Sequence, residues 1–190
     1  MDWTIRRATM ADADRLALVG SATFLETFAG VLDGDALVDH CAREHSSSAY
    51  QQHLTSGAVA WLVEARFGEA PIGFALLSKP SLPGSTADGS DIELKRIYAL
   101  SRFHGSGAGA ELMRHATQYA EERGCQRLLL GVYAGNDRAR AFYDKHGFRQ
   151  IADRRFRVGA RKYDDVVLAR SLGAIFSKSE KNRNSAGTSR

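Results

Sequence analysis

The chain has 190 residues, a net charge of +4, 44% hydrophobic and 25% charged residues, the balance of one globular domain with a core large enough to fold unaided. Two cysteines, Cys41 and Cys125, stand far apart and outside any C-x-x-C pattern, which excludes a disulfide scaffold and a cysteine-rich zinc site and suits a reducing cytosol. No apolar run approaches the ~18 residues of a membrane span, and the N-terminus MDWTIRRATM has no signal-peptide core.

Asp2–Arg7 reads as a short strand. Thr9 and Asp12 form a capping-box signature, and Leu18, Ala22, Leu25 and Ala29 then recur at helical spacing, predicting a helix from Met10 to Phe28. Gly30 and Gly34 break it, and Asp35 to Leu54 forms a second helical stretch. The period then changes to that of strands: Val59–Ala65, a Phe67-Gly68-Glu69 turn and Ile72–Leu77 make a β-hairpin. A loop with Pro80, Pro83, Gly84 and Gly89 leads to a strand over Ile92–Leu100. Ala108–Arg123 is a helix with its stripe on Leu112, Ala116, Tyr119 and Ala120, stopped by Gly124. Arg127–Tyr133 is a strand, Asp137–His146 a helix ended by Gly147, and Phe148–Arg155 and Tyr163–Arg170 a closing pair of strands. The order describes an α/β fold, a mixed sheet with helices on both faces. A single domain over residues 1–173 is expected, with a polar, aperiodic, disordered basic tail from Ser177 to Arg190.

The charge is unevenly divided. Residues 1–94 carry a net −7, residues 95–176 a net +8, and the tail a net +3. The tail therefore accounts for most of the total, and the folded part is an acidic front half joined to a basic back half. That division suits ligands of opposite sign better than it suits a nucleic acid. The six histidines show no metal-ligand spacing such as H-E-x-x-H.

The segment S-R-F-H-G-S-G-A-G-A-E-L-M places Gly105, Gly107 and Gly109 at the mouth of a helix. Without Cβ atoms, consecutive N–H groups can converge on one concavity, and the helix start adds partial positive charge. Such a loop takes a phosphate or pyrophosphate. It is neither a Walker A loop, since no Lys-Ser/Thr pair follows, nor a dinucleotide fingerprint with its downstream acid.

A strand ending Ile97-Tyr98-Ala99, then H-G-S-G-A-G, a helix, a strand, Asn136, and Tyr143 within A-F-Y-D-K-H-G-F, resembles the GNAT N-acetyltransferase superfamily. The resemblance covers residues 3–170. It implies a mostly antiparallel sheet with splayed central strands, and acetyl-CoA as co-substrate in the cleft between them. Aligning Gly107 and Gly109 with the family's glycines puts His104 where glutamine or arginine is usual. The resemblance implies that the backbone of Ile97, Tyr98 and Ala99 pairs with the pantetheine. It further implies that the loop His104, Gly105, Ser106, Gly107, Ala108, Gly109 and Ala110 holds the pyrophosphate. Asn136, with an amide that donates and accepts, suits the pantetheine arm or, structurally, a helix cap.

Tyr143 is read as the general acid, because a phenol is protonated at neutral pH and the departing sulfur needs a proton; its structural alternative is a core aromatic. Glu93, with Asp91 as its neighbour, is the candidate base for the amine, against an exposed strand residue or ordered water. Similarity to the polyamine N-acetyltransferase subgroup, from F-L-E-T-F at Phe24–Phe28 and the closing F-R-V-G…D-D-V-V, and the acidic front half point to a small cationic amine. Glu26 and Asp33 are then its candidate contacts. A protein or peptide amine and a non-catalytic acetyl-CoA-binding regulator are the alternatives, with no metal and no membrane. Dimers are frequent among proteins the chain resembles.

Overall fold

A computed structural model of the chain describes residues 2–173 apart from Ala87, Gly159 and Ala160, so the predicted basic tail lies outside the described residues. Strand β1 (Trp3–Arg7) leads through a short 3-10 turn at Met10–Asp12 into helix α1 (Ala13–Phe28). The predicted capping box is formed there: Asp12 accepts from the Thr9 amide at 2.7 Å. The buried face of α1 is Leu16, Val19, Thr23 and Phe24, whereas Leu18 and Leu25 are 65% and 54% exposed. The stripe read from the sequence therefore faces outward. Both faces of α1 carry apolar residues at helical spacing, and periodicity alone does not choose between them.

The second helical stretch is two helices, α2 (Gly34–Glu44) and α3 (Ser47–Thr55), parted at His45-Ser46. Ser46 causes the break, since its hydroxyl caps α3 by accepting from the Ala49 amide. Strands β2 (Val59–Ala65), β3 (Pro71–Ser78) and β4 (Asp91–Ala99) form an antiparallel meander. Helix α4 (Ala108–Glu122), strand β5 (Arg127–Tyr133), helix α5 (Asp137–Lys145) and strands β6 (Arg149–Val158) and β7 (Arg161–Ser171) complete the chain.

The sheet has seven strands in the order β1-β2-β3-β4-β5-β7-β6, antiparallel throughout except for the β4–β5 pair. Both faces are covered, so β2 and β3 are apolar without alternation. Trp61, Val63, Ala75 and Leu77 pack with Leu112, Met113 and Ala116 of α4. Leu62, Phe74 and Leu76 pack on the other side with Leu16 and Val19 of α1 and Tyr50 of α3. A third cluster joins Phe24, Leu32 and Leu37 to Val158 of β6, bringing the first two helices over the far end of the sheet.

Candidate active site

The only parallel pair among the described strands is short. Asp91, Ile92 and Glu93 of β4 pair with Arg127, Leu128 and Leu129 of β5, and beyond them the strands part. Each then keeps a different partner: β4 stays with β3 and β5 stays with β7. A bulge falls at the same point, because Leu94 pairs with Leu77 and Arg96 with the next residue back, Leu76, leaving Lys95 extra. An extra residue bends and twists its strand, which turns the rest of β4 away from β5. The foot of the fork is clamped by the ion pair of buried Asp91 with Arg127, at 2.8 Å (Nε to Oδ1) and 2.7 Å (Nη2 to Oδ2). The Arg127 guanidinium, ahead of the Thr86 amide, holds the Asp91 carboxyl below the usual carboxylate range. Asp91 is thus a structural clamp, and of the two neighbouring carboxylates Glu93 is the one that lines the cleft.

The cleft that opens above the fork has a volume of about 670 Å³ and is lined by residues of β4, β5, β6, β7, α1, α2 and α5, among others. Ile97, Tyr98 and Ala99 form one wall, with their β5-facing edge unpaired by any described strand. The chain then turns through a 3-10 segment at Ser101–Phe103 into the glycine loop. Gly105 and Gly107 have φ of 81° and 90°, the left-handed region in which a Cβ is costly, and Gly107 is the N-cap of α4. The first-turn amides of α4 have no intrahelical carbonyl to meet, so the loop presents N–H donors at the positive end of a helix dipole. Ser106 Oγ accepts from the Ala108 amide at 3.4 Å. His104 folds back instead, its Nε2 hydrogen-bonded to the Ala99 carbonyl at 2.9 Å, tying the loop to the end of β4. Gly109 faces the Phe142 ring, where a Cβ would sit 3.6 Å from it.

Asn136 is a helix cap that also stands in the cleft wall. Its Oδ1 caps α5 by accepting from the Ala139 amide at 3.1 Å, and its residue lines the cleft with the side-chain NH2 remaining to donate. Tyr143, in the second turn of α5, is 8% exposed, with its ring against Phe142 and Phe148, and it lines the cleft. Burial, with Tyr98 near it, pushes this phenol above its ordinary value of 10.0, so it stays protonated. Glu93 is 5% exposed rather than on the surface, and both bonds to it, from the Ser81 amide at 2.8 Å and the Ser81 hydroxyl at 3.1 Å, reach Oε2.

The acidic acceptor contacts fare differently. Glu26 lines the cleft but accepts from the Ser101 amide at 2.8 Å and the Ser101 hydroxyl. Asp33 does not line the cleft. It caps α2, accepting from the Asp35 and Ala36 amides, and is exposed. Sequence reasoning missed three features: the bulge at Lys95, the pair Arg154–Asp165 at 2.7 Å across β6 and β7, and buried Arg96, which bonds Glu44 at 3.1 Å. The positions of all three depend on strand register, which one sequence does not display. Cys41 and Cys125 are free and partly buried, and no cluster of metal-ligating side chains occurs among the described residues.

A forked parallel pair, with a glycine-opened helix start on one side and a buried phenol on the other, is the framework of an acyl-CoA-dependent transferase. Residues 31–148 match the acetyltransferase (GNAT) family model. The chain is 34% identical over 163 residues to an N-acetyltransferase of Mycobacterium tuberculosis, covering 86% of this chain and 99% of that one. It is also 30% identical over 69 residues to a thialysine N-epsilon-acetyltransferase of Bos taurus, 36% of this chain and 41% of the relative. In fold it is similar to the PaiA N-acetyltransferase of Thermoplasma acidophilum, solved in complex with coenzyme A (TM-score 0.72, 18% identity, 90% of this chain and 100% of that one). The ribosomal-protein-alanine N-acetyltransferase of Brucella melitensis is similar as well (TM-score 0.67, 24% identity, 89% and 99%). The chain belongs to the GNAT acetyltransferase family. It is an acetyl-CoA-dependent N-acetyltransferase, and its glycine loop, unpaired β4 edge and free Asn136 amide fit that co-substrate. Among the described residues no helix is long and apolar enough to cross a membrane.

Proposed function

We propose that the enzyme transfers acetyl directly to a primary amine bound beside the donor in one cleft, with Tyr143 as general acid and Glu93 as general base. Acetyl-CoA supplies an acetyl group activated as a thioester, with sulfur as leaving group. The loop amides of Gly105, Gly107, Gly109 and Ala110 hold the pyrophosphate, the Ser106 amide being taken by the Phe103 carbonyl at 3.2 Å; Ile97 to Ala99 and Asn136 hold the pantetheine, and His104 fixes the loop against β4. Glu93 takes a proton from the acceptor ammonium, whose pKa of roughly 10 otherwise keeps it unreactive at neutral pH. Nitrogen then bonds to the acetyl carbon as the carbon–sulfur bond breaks, Tyr143 protonates the sulfur, and the second proton lost from nitrogen as the amide forms restores the Tyr143 phenol. No acyl-enzyme is required, and partly buried Cys125, whose thiol burial raises, takes no part.

The observation that carries this reading is the pairing within one cleft of a protonated phenol with a buried carboxylate whose Oε1 is left open by both Ser81 bonds. The acceptor, expected from the sequence to be a small cationic amine such as a polyamine, meets negative charge at the reacting end from Glu93. Glu44 and Asp165 line the walls as well, each paired with an arginine, Arg96 and Arg154. Asp33 is given no part, since its carboxylate is spent on the α2 cap away from the cleft. Initial rates of thiol release with both substrates varied test the route. Intersecting double-reciprocal lines are expected for a ternary complex, and parallel lines would overturn it.

A further inference from the structure

The acceptor end of the cleft is built of rings. Tyr163, Tyr133, Phe28, Phe24, His40 and Phe156 all line it, and each touches the next. The centroid separations run 6.2 Å from Tyr163 to Tyr133, 6.3 Å to Phe28, 4.5 Å to Phe24, 4.2 Å to His40 and 6.1 Å to Phe156. The chain of rings runs from β7 and β5 across α1 and α2 to β6. His40 belongs to it as a neutral ring: it stacks on Phe24 with an interplanar angle of 16°, and burial, above all, holds its pKa below the ordinary histidine value. Phe156 is 36% exposed and Val31, beside the rings, 41%. Apolar and aromatic surface left open inside a concavity is the mark of a ligand site for a group of the same kind.

The carboxylates in the same walls are largely engaged by arginines. Arg96 and Arg154 both line the cleft, and each keeps a buried N–H (Nη1 of Arg96, Nε of Arg154) without a hydrogen-bond partner among the described residues. Arg154 lies 5.2 Å over the Phe156 ring, so the ring that could attract a second ammonium already faces a cation. Glu44 and Asp165 are engaged by these guanidinium groups, at 3.1 and 2.7 Å, rather than left for a second ammonium of a spermidine-like chain. An amine with a single charge at Glu93 and a planar arm among the rings needs no further carboxylate.

We infer that the acceptor is a small primary amine carrying one positive charge and an aromatic arm, with the arm held by the ring-lined wall. The inference rests on the transfer reading above and names its substrate class. The test is thiol release from acetyl-CoA by the full chain with phenethylamine, tryptamine, phenylalanine, n-butylamine and spermidine at matched concentrations. The aromatic amines are expected to give a kcat/KM at least about 10-fold above n-butylamine and spermidine, the scale of a filled against an empty apolar pocket. Spermidine or n-butylamine equal to or better than every aromatic amine overturns the inference and leaves acetyl transfer standing. Release with none of the five overturns both. Phe156→Ala, at a half-exposed position, is expected to raise the KM for the best aromatic amine about 10-fold without moving that for acetyl-CoA. Phe156→Tyr should restore it. Equal KM for the amine in parent and Phe156→Ala counts against the ring wall.

Discussion

Replacing Tyr143 by phenylalanine removes one oxygen from the centre of the proposed chemistry. The ring contacts with Phe142 and Phe148, at 5.5 and 5.7 Å between centroids, survive the change. No described residue loses a hydrogen bond, so stability should move by no more than about 0.5 kcal/mol. The proton for the departing sulfur is lost. General acid catalysis contributes ~10²-fold or more, equivalent to about 2.7 kcal/mol of activation free energy. Thiol release at saturating acetyl-CoA and amine should therefore fall about 10²-fold, with the KM for acetyl-CoA within about twofold, because the pyrophosphate loop and Asn136 are untouched. Burial raises the phenol's pKa, so Tyr143 keeps its proton on the alkaline side and the parent enzyme should show no alkaline loss of kcat below pH about 10 from this group. A variant with kcat within threefold of the parent would refute the assignment. Unchanged thermal unfolding confirms that the loss is chemical.

Three further outcomes follow from the same geometry. Gly107→Ala imposes a Cβ at φ of 90°, a strain of ~1–2 kcal/mol, and should raise the KM for acetyl-CoA about 10-fold with little change in kcat; Gly109→Ala, whose Cβ would meet Phe142 at an ordinary 3.6 Å, should do less, and equal effects would count against the loop assignment. Glu93→Gln keeps an oxygen for the Ser81 bonds but cannot take a proton, so kcat/KM for the amine should fall about 10²-fold and lose its acidic limb, and an unchanged pH profile would reassign the base. His45, 3% exposed and bonded to Tyr50, has its pKa lowered to about 3 by burial, with Arg96 and His40 adding to it. Its neutral form is favoured in the folded state, so the stability it contributes is complete above the unfolded pKa of about 6.5 and is lost as pH falls toward 3. That amounts to about 2 kcal/mol between pH 7.5 and 5, and His45→Gln should flatten the acid slope of denaturant unfolding by that share.

Much of this molecule was legible in one dimension because local chemistry dictated it. The Thr9–Asp12 capping box, the Gly107 helix start, the Asn136 cap and the stop at Gly147 are each specified by residues within a turn of one another. The apolar runs of β2 and β3 announced strands buried on both faces, and the glycine loop with A-F-Y-D-K-H-G-F carried the family and, through it, the co-substrate. Ser46 was legible too: a serine run before a new helical turn is a cap signal, and it divides what the apolar spacing ran together.

What only the tertiary structure decided was which residues share a space. The outward turn of Leu18 and Leu25 depends on what α1 packs against, and two apolar stripes on one helix leave the spacing indifferent. Asp91 and Glu93 stand two positions apart on one strand, yet only the partner chain segments separate them: Arg127 from β5 locks the first as a clamp, and Ser81 leaves the second one oxygen for chemistry. Asp33 and Glu26 were chosen from an acidic half, but a carboxylate's use is set by the amides within reach of it, and an α2 cap took one of them out of the cleft. The chain by itself determined its elements and its chemistry of acetyl transfer, since these follow from local backbone preference and from residue types in order. The fork, the ring-lined wall and the arginine–carboxylate pairs beside it arise from strand register and long-range packing, which bring together residues whose separation along the chain conceals that they meet.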